Sequence, residues 1–291
     1  MKAPFAAAVV LSFCCSAADA VLPPGELAAL SDFYQATGGA GWTGIPAGQK
    51  WFSAAVGSDP CAMPWFGLTC SPDHTRVWAI RLQGHGLDGS LPPSFGNFSD
   101  LIDLDLAANP KLSGPVPTNI GNTNLETFST DDTRLGCLEG GGRQDIGWIR
   151  DLPLLKAIRL RSNCFGGVFA DLPPWPDLRV LVLEGTGVSG DLGGLGLDSK
   201  ALLEVLNITR CGFTGPIPDA LPESLTDLLL DQNELSGPLP ASLSNLASLE
   251  ELNIGANRLI GPVPDLTSLA ALKRLKIGRG QLSGPLGFAA E

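Results

Sequence analysis

Apolar residues recur along this chain at a fixed period. From Val77 onward they occupy the first, fourth and sixth positions of a recurring unit, as in LIDLDLAANPKLSG, LTDLLLDQNELSG, LEELNIGANRLIG and LKRLKIGRGQLSG. The first three of these copies carry Asn at the ninth position, and the last carries Gly280. The fourth position marks nine repeats, at Ile80, Leu104, Phe128, Ile158, Leu181, Leu206, Leu228, Leu252 and Leu275. The steps between markers run from 22 residues (Leu206 to Leu228) to 30 residues (Phe128 to Ile158). Such a period predicts a repeat architecture whose units stack on one another.

The alternation inside the unit predicts one short strand per repeat. Apolar side chains at the fourth and sixth positions point inward, and their neighbours point outward. Stacked units therefore give an α/β repeat solenoid with a parallel sheet. The ninth position carries Asn109, Asn163, Asn233 and Asn257, whose amides we expect to bridge the backbones of adjacent turns. Thr133, Thr186 and Cys211 replace Asn in weaker copies, and we expect those turns to be less well tied.

Two further features carry a resemblance to a known family. Strings of the form LSGPVP, FTGPIP and LSGPLP follow the Asn position, and the segment 21–76 contains LAALSDFYQATGG and DPCAMPWFGLTC. In these motifs the chain resembles the plant-type extracellular leucine-rich-repeat family, including receptor-like kinase ectodomains and polygalacturonase-inhibiting proteins. The N-terminal motif around Tyr34 and Thr37 resembles that of algal and protist members. The resemblance implies a leucine-rich-repeat right-handed superhelix with its strands on the concave face, and a helical, disulfide-bonded N-terminal cap.

The domain order that we predict has three parts. Residues 1–20 have a basic start, an apolar run and a small-residue cleavage site, which is typical of a signal peptide. Residues 21–76 form the cap, with a helix near Glu26 to Thr37, and 77–291 form nine repeats with an irregular insertion near 134–154. The sequence shows no clear C-terminal cap, so we expect an open last coil. We expect a truncated product, a receptor ectodomain without its anchor, or a protein that covers this coil by self-association.

Export sets expectations for cysteines and glycans. We expect a disulfide between Cys61 and Cys70, because two cysteines without further ligands do not make a zinc site. A second bridge between Cys137 and Cys164 is an open alternative, which leaves Cys211 as a buried, inert thiol. Two N-glycosylation sequons begin at Asn97 and Asn207, and either could also stay unmodified. Asn207 is expected to face out of the concave sheet.

The sequence offers little for catalysis, and we predict that the chain is not an enzyme. Its two histidines, His74 and His85, do not support Ser-His-Asp or histidine-metal sites, and no cofactor or metal motif is present. Carboxylate pairs such as Asp103/Asp105 and Asp131/Asp132 invite comparison with glycosidases. We expect them on an open face, where no burial raises a carboxyl pKa. A net charge of −11 disfavours nucleic acid as a partner.

The outward positions instead predict a binding face. Acidic and basic residues alternate there in bands that could orient a charged partner, although ordinary solvated surface remains the alternative. The candidate residues are Trp78, Asp103, Asp105, Asp131, Lys156, Arg159, Arg161, Glu184, Arg210, Asp231, Glu251 and Lys276.

These features predict an extracellular recognition module in signalling or defence. It would bind a protein, a peptide or a cell-wall polysaccharide, and it would be secreted, wall-associated or, as a truncated receptor, at the cell surface. A membrane receptor is a further candidate partner, although the chain itself has no predicted span. An alternative is a secreted inhibitor of a cell-wall-degrading hydrolase. A structural or ice-contacting solenoid would need a flat array of threonines, and the outward positions are too mixed for that.

Overall fold

The computed structural model describes residues 22–53, 59–62, 65–170, 173–278 and 281–284. The predicted signal peptide, 1–20, and the chain beyond 284 lie outside these residues. Within them the strands, numbered in chain order, are β1 Leu68–Cys70, β2 Val77–Arg81, β3 Asp88–Ser90, β4 Asp103–Asp105, β5 Lys111–Gly114, β6 Thr127–Ser129, β7 Arg134–Leu135, β8 Gln144–Asp145, β9 Ala157–Arg159, β10 Phe165–Val168, β11 Val180–Val182, β12 Gly187–Asp191, β13 Val205–Asn207, β14 Gly212–Gly215, β15 Asp227–Leu229, β16 Glu234–Gly237, β17 Glu251–Asn253, β18 Arg258–Pro262, β19 Arg274–Lys276 and β20 Gln281–Ser283. One α-helix, α1, covers Pro24–Ala36. Short 3₁₀ helices cover Gly39–Gly41, Ala47–Gln49, Pro93–Asn97, Ile120–Asn122, Glu139–Gly141, Ile146–Asp151, Leu192–Leu195, Leu197–Ser199 and Ala241–Asn245.

The concave face is a single sheet in the order β1-β2-β4-β6-β9-β11-β13-β15-β17-β19. Strand β1 runs antiparallel to β2, and all later neighbours are parallel. The markers from Ile80 to Leu275 face one another across these pairs, and all but Leu275 are fully buried. The predicted fold, with one short parallel strand in each repeat, is therefore confirmed.

The convex strands form two sheets. One has the order β3-β5-β7, and the other runs from β8 through β10, β12, β14, β16 and β18 to β20. The break falls between β7 and β8, inside the longest repeat. Across it, the Gln144 side-chain amide accepts from Val116 N at 2.8 Å and donates to Val116 O at 2.9 Å. A side chain thus takes the place of a strand pair where the insertion interrupts the ladder.

Buried asparagines tie neighbouring turns together. Asn109 is fully buried, and its Nδ2 donates to Leu82 O at 2.9 Å in the previous repeat and to Leu106 O at 2.8 Å in its own. Its Oδ1 accepts from Leu87 N at 3.0 Å. Asn233 and Asn257 make the same set of bonds, and Asn163 differs in accepting from the Thr133 hydroxyl. Each amide satisfies backbone groups that the short strands leave unpaired.

The cap closes the first turn with an aromatic core. Phe33 on α1 is fully buried, with ring centroids 6.0 Å from those of Trp42 and Trp51 and 5.9 Å from that of Phe95 in the first repeat. Glu26, two turns earlier, accepts from Val77 N at 2.8 Å at the start of β2. Burial raises the pKa of Glu26, while hydrogen bonds from Val77 and Arg76 act in the opposite direction. Helix α1 therefore fastens the cap to the sheet through both an apolar and a polar contact.

The expected cysteine pair and the pair that the sequence left open both form disulfides. Cys61–Cys70 and Cys137–Cys164 form disulfides, with Cα separations of 5.7 and 4.8 Å. The first staples the cap, and the second joins the two repeats on either side of the break in the convex ladder. Cys211 is a free thiol, half-buried rather than fully buried. Burial raises the pKa of its thiol to about 11, so it is protonated and poorly reactive near neutral pH.

We expect Cys211→Asn to stabilise the protein. The Cys211 Sγ donates to Leu183 O at 3.1 Å and to Thr209 O at 3.7 Å, which are the carbonyl positions that asparagine amides reach in other repeats. An amide there adds shorter hydrogen bonds, so we expect about 1 kcal/mol of stabilisation. Thermal unfolding of Cys211→Asn beside Cys211→Ala measures this. A melting temperature for the asparagine variant at or below that of the alanine variant would contradict it.

Candidate ligand-binding face

Two rows of outward side chains run along the concave sheet, fixed by the strand register. The first contains Ala79, Asp103, Thr127, Ala157, Val180, Val205, Asp227, Glu251 and Arg274. The second contains Arg81, Asp105, Ser129, Arg159, Val182, Asn207, Leu229, Asn253 and Lys276. Neighbours in a row come from consecutive repeats and lie about 4.8 Å apart along the sheet.

Most charges on this face pair across neighbouring repeats. The ion pairs are Arg81–Asp103, Lys156–Glu126, Arg161–Asp132, Arg179–Glu204, Lys273–Glu250 and Arg274–Glu251. The predicted bands of like charge therefore neutralise one another where they meet. Because most of these side chains are largely exposed, each pair adds little to stability.

The N-terminal recess is a concavity of about 480 Å³ lined chiefly by Arg81, Asp105, Ser129, Asp131, Arg159 and Arg161. Asp105 and Arg159 lie in the same row with Ser129 between them, about 10 Å apart at two strand spacings. Within the described residues neither Asp105 nor Arg159 takes part in an ion pair. Among the charged groups of the recess, Asp105 and Arg159 thus face each other across the small, buried Ser129 without an ion-pair partner among the described residues.

Asp131 corrects one sequence expectation. Its Oδ1 accepts from Arg161 N at 2.6 Å, and its side chain lies partly inside the recess wall. Burial raises the pKa of Asp131, although the Arg161 hydrogen bond and the nearby Arg161 and Arg159 guanidinium groups lower it. The expectation that no carboxyl pKa is raised on this face was wrong, because this carboxylate is partly buried in the wall of the recess, where its charged form is less well solvated.

An apolar strip lies beside this recess. It consists of Ala157, Val180, Val182, Val205 and Leu229, on β9, β11, β13 and β15. Val182 is buried, and the others are half-buried. Sequence reasoning missed these residues because it searched the outward positions for charge. A signal was available in the sequence, because alternation with period two assigns these valines to the solvent side of the strands, where apolar residues are unexpected.

The C-terminal recess is a second concavity of about 270 Å³, lined by Glu184, Asn207, Arg210, Asp231, Glu251 and Lys276, among others. It continues towards the last described strand as an open groove of about 650 Å³. Of the predicted residues, Asp103, Asp105, Asp131, Arg159 and Arg161 line the first recess, and Glu184, Arg210, Asp231, Glu251 and Lys276 line the second. Trp78 and Lys156 each come one residue before a member of the first row, and they line neither recess.

Comparison with known proteins agrees with this geometry. The family model described as Leucine Rich Repeat matches residues 202–223 and 224–246. The chain contains leucine-rich repeats and has the leucine-rich-repeat fold. It is 27% identical to the receptor-like kinase TMK2 of Arabidopsis thaliana over 72% of its own length and 26% of that protein. It is 28% identical to receptor-like protein 35 of the same plant over 68% of its length and 21% of that protein. This leucine-rich-repeat chain therefore spans about a quarter of the length of these relatives.

Solved structures share the fold. The leucine-rich-repeat ectodomain of the Arabidopsis thaliana receptor kinase GASSHO1/SCHENGEN3, solved in complex with CASPARIAN STRIP INTEGRITY FACTOR 2, has a TM-score of 0.72 at 28% identity over 88% of this chain and 30% of that one. The ectodomain of the Arabidopsis receptor kinase HAESA, solved with the peptide hormone IDA and the co-receptor SERK1, has a TM-score of 0.56 at 19% identity over 89% and 50%. A plant ice-binding protein has a TM-score of 0.55 at 20% identity over 90% and 96%, which shows a shared fold.

Proposed function

We propose that this chain is an extracellular, non-catalytic recognition module that binds a peptide segment across its concave face. The observation that carries the proposal is the pair of unpartnered charges, Asp105 and Arg159, on opposite sides of Ser129 in the N-terminal recess. Charged groups that face an open recess without an ion-pair partner are free to pair with a ligand. The side chains and termini of a peptide supply both signs of charge.

The apolar strip extends the same surface. Ala157 and Arg159 share strand β9, so the strip begins where the recess ends. From β4 to β15 the sheet crosses six strands, which is about 24 Å and matches roughly seven residues of extended peptide. We infer a ligand with charged groups at one end and apolar side chains along the rest. A surface that offers charged and apolar contacts side by side favours a peptide over a polysaccharide, because a polysaccharide lacks aliphatic side chains.

The solved neighbours support a ligand on this fold. The GASSHO1/SCHENGEN3 and HAESA ectodomains were each solved with a bound ligand, which in HAESA is a peptide hormone. We infer a role in signalling at the cell exterior, in which a membrane receptor is a candidate partner. No helix among the described residues is long and apolar enough to cross a bilayer.

Selection from a displayed library of random peptides, with the secreted chain immobilised, tests the proposal. We expect enriched peptides to combine opposite charges with aliphatic residues. Their affinity should fall by about 10- to 100-fold in Arg159→Gln or Asp105→Asn, because a charged hydrogen bond contributes about 1.5–3 kcal/mol. Lys276→Gln is the matched control, since Lys276 lies in the other recess.

Two outcomes would contradict the proposal. Selected peptides that bind Arg159→Gln and Asp105→Asn as tightly as the unaltered chain would place the ligand elsewhere. A chain that selects no peptide but blocks a wall-degrading polygalacturonase would instead support the inhibitor hypothesis.

A further inference from the structure

Asn207 lies at the boundary between the apolar strip and the C-terminal recess. It occupies β13 between Leu206 and Ile208, both fully buried, so its side chain faces the open concave side. In its row it stands between Val182 and Leu229. A group attached to Asn207 would project directly over the sheet.

The contacts of Asn207 are compatible with an attached sugar. Its Nδ2 donates to Glu184 Oε2 at 3.0 Å, and its Oδ1 accepts from Thr209 N at 3.0 Å. N-glycosylation replaces one of the two amide hydrogens and leaves the other, so the Thr209 contact to Oδ1 persists, and the Glu184 contact persists when the retained hydrogen is the one that faces Glu184. Thr209, the third residue of the sequon, holds the turn through a 2.7 Å hydrogen bond from Oγ1 to Asp231.

The recess beside Asn207 has the chemistry that sugar hydroxyls need. Glu184, Asp231 and Glu251 offer carboxylate acceptors, and Arg210 and Lys276 offer donors. Sugar hydroxyl groups both donate and accept, so a mixed set of this kind can satisfy them.

We propose that the exported chain carries an N-linked glycan on Asn207, and that its first sugars occupy the C-terminal recess. The inference rests on the proposed function, because glycosylation requires export. The glycan covers the sheet from β13 onward, including the Val205 and Leu229 end of the apolar strip. It confines the peptide to the N-terminal recess and to Ala157, Val180 and Val182, so the modified chain binds a shorter segment than the bare sheet would hold. The chain thereby sets the C-terminal limit of its own binding surface.

The test uses the full chain secreted from eukaryotic cells, with Asn207→Gln and, as the matched control, Asn97→Gln at the other sequon. Glycopeptide mass spectrometry measures occupancy of both sites. Carbodiimide labelling of carboxyl groups then measures exposure of Glu184, Asp231 and Glu251, with Asp105 as an internal reference. We expect occupied Asn207, and labelling of the three carboxylates that is several-fold faster in Asn207→Gln but unchanged in Asn97→Gln.

The outcomes separate this inference from the proposed function. An exported chain that is modified at Asn97 but not at Asn207 overturns the inference alone. Occupied Asn207 with labelling equal to that of Asn207→Gln shows that the glycan points away from the recess, and also overturns it. A chain retained inside the cell overturns the extracellular function and this inference together.

Discussion

Replacing Asn109 with alanine should lower the free energy of unfolding by about 3–5 kcal/mol, the upper range for single substitutions. The Asn109 Nδ2 donates to Leu82 O and Leu106 O, and its Oδ1 accepts from Leu87 N. The Asn109 side chain is fully buried. Alanine removes every one of these partners at once. Because each buried polar group left without a partner costs about 1–3 kcal/mol, the penalties accumulate at one site. Denaturant unfolding followed by tryptophan fluorescence measures the change.

Asn253→Ala is the matched control for Asn109→Ala. Asn253 lies on the concave row, is half-buried, and accepts a single long hydrogen bond from Gly255 N at 3.4 Å. We expect a loss of no more than about 0.5 kcal/mol there, as at ordinary surface positions. Equal losses in the two variants would contradict the view that the buried amides tie the repeats together.

Phe33→Ala should destabilise the cap by about 3–5 kcal/mol, the range measured for buried phenylalanines. The Phe33 ring contacts Trp42 and Trp51 inside the cap and Phe95 in the first repeat, so its loss leaves a cavity where the two parts meet. The interface between cap and repeats is what shields the first turn from water. We expect limited proteolysis to cleave the cap segment before the repeats in this variant.

Phe52→Ala is the control that distinguishes loss of the contact between the cap and the first repeat from loss of any aromatic side chain in the cap. Phe52 is 44% exposed and contacts Tyr34 and Trp65 within the cap rather than the first repeat. We expect a loss of about 1 kcal/mol and an unchanged order of proteolysis. Cap release in Phe52→Ala to the same extent as in Phe33→Ala would show that the Phe95 contact does not fasten the cap.

The period of the repeat predicted the positions of the concave strands because inward and outward directions follow from alternation alone. Ile80 and Leu104 face each other as the spacing requires, despite the 24 residues between their positions. The buried asparagines were predictable for the same reason, since the ninth position always meets the turn before it. The insertion after Phe128 was visible as a long step, and the structure places the break in the convex ladder there.

The details of the binding face were not predictable to the same degree. Whether Arg159 or Arg161 finds an acidic partner depends on side-chain directions across two strands, which the period does not fix. Arg161 pairs with Asp132, and Arg159 stays free within the described part of the chain. Burial of Asp131 likewise arises from neighbours one repeat away. The valines of the strip were readable from the sequence, but a search for charge passed over them.

The Cys137–Cys164 bridge makes one tie between neighbouring repeats depend on the redox state of the compartment. It joins the two repeats whose strands β6 and β9 carry Ser129 and Arg159, and it lies where the convex ladder is divided. Reduction would remove a covalent tie from the outer side of the bend and leave the inner strand pairing intact. The paired strands β4, β6 and β9 would still hold Asp105 and Arg159 two strand spacings apart, so the binding face would keep its geometry. In an oxidising compartment, where such bonds persist, the convex side of these two repeats is tied as well.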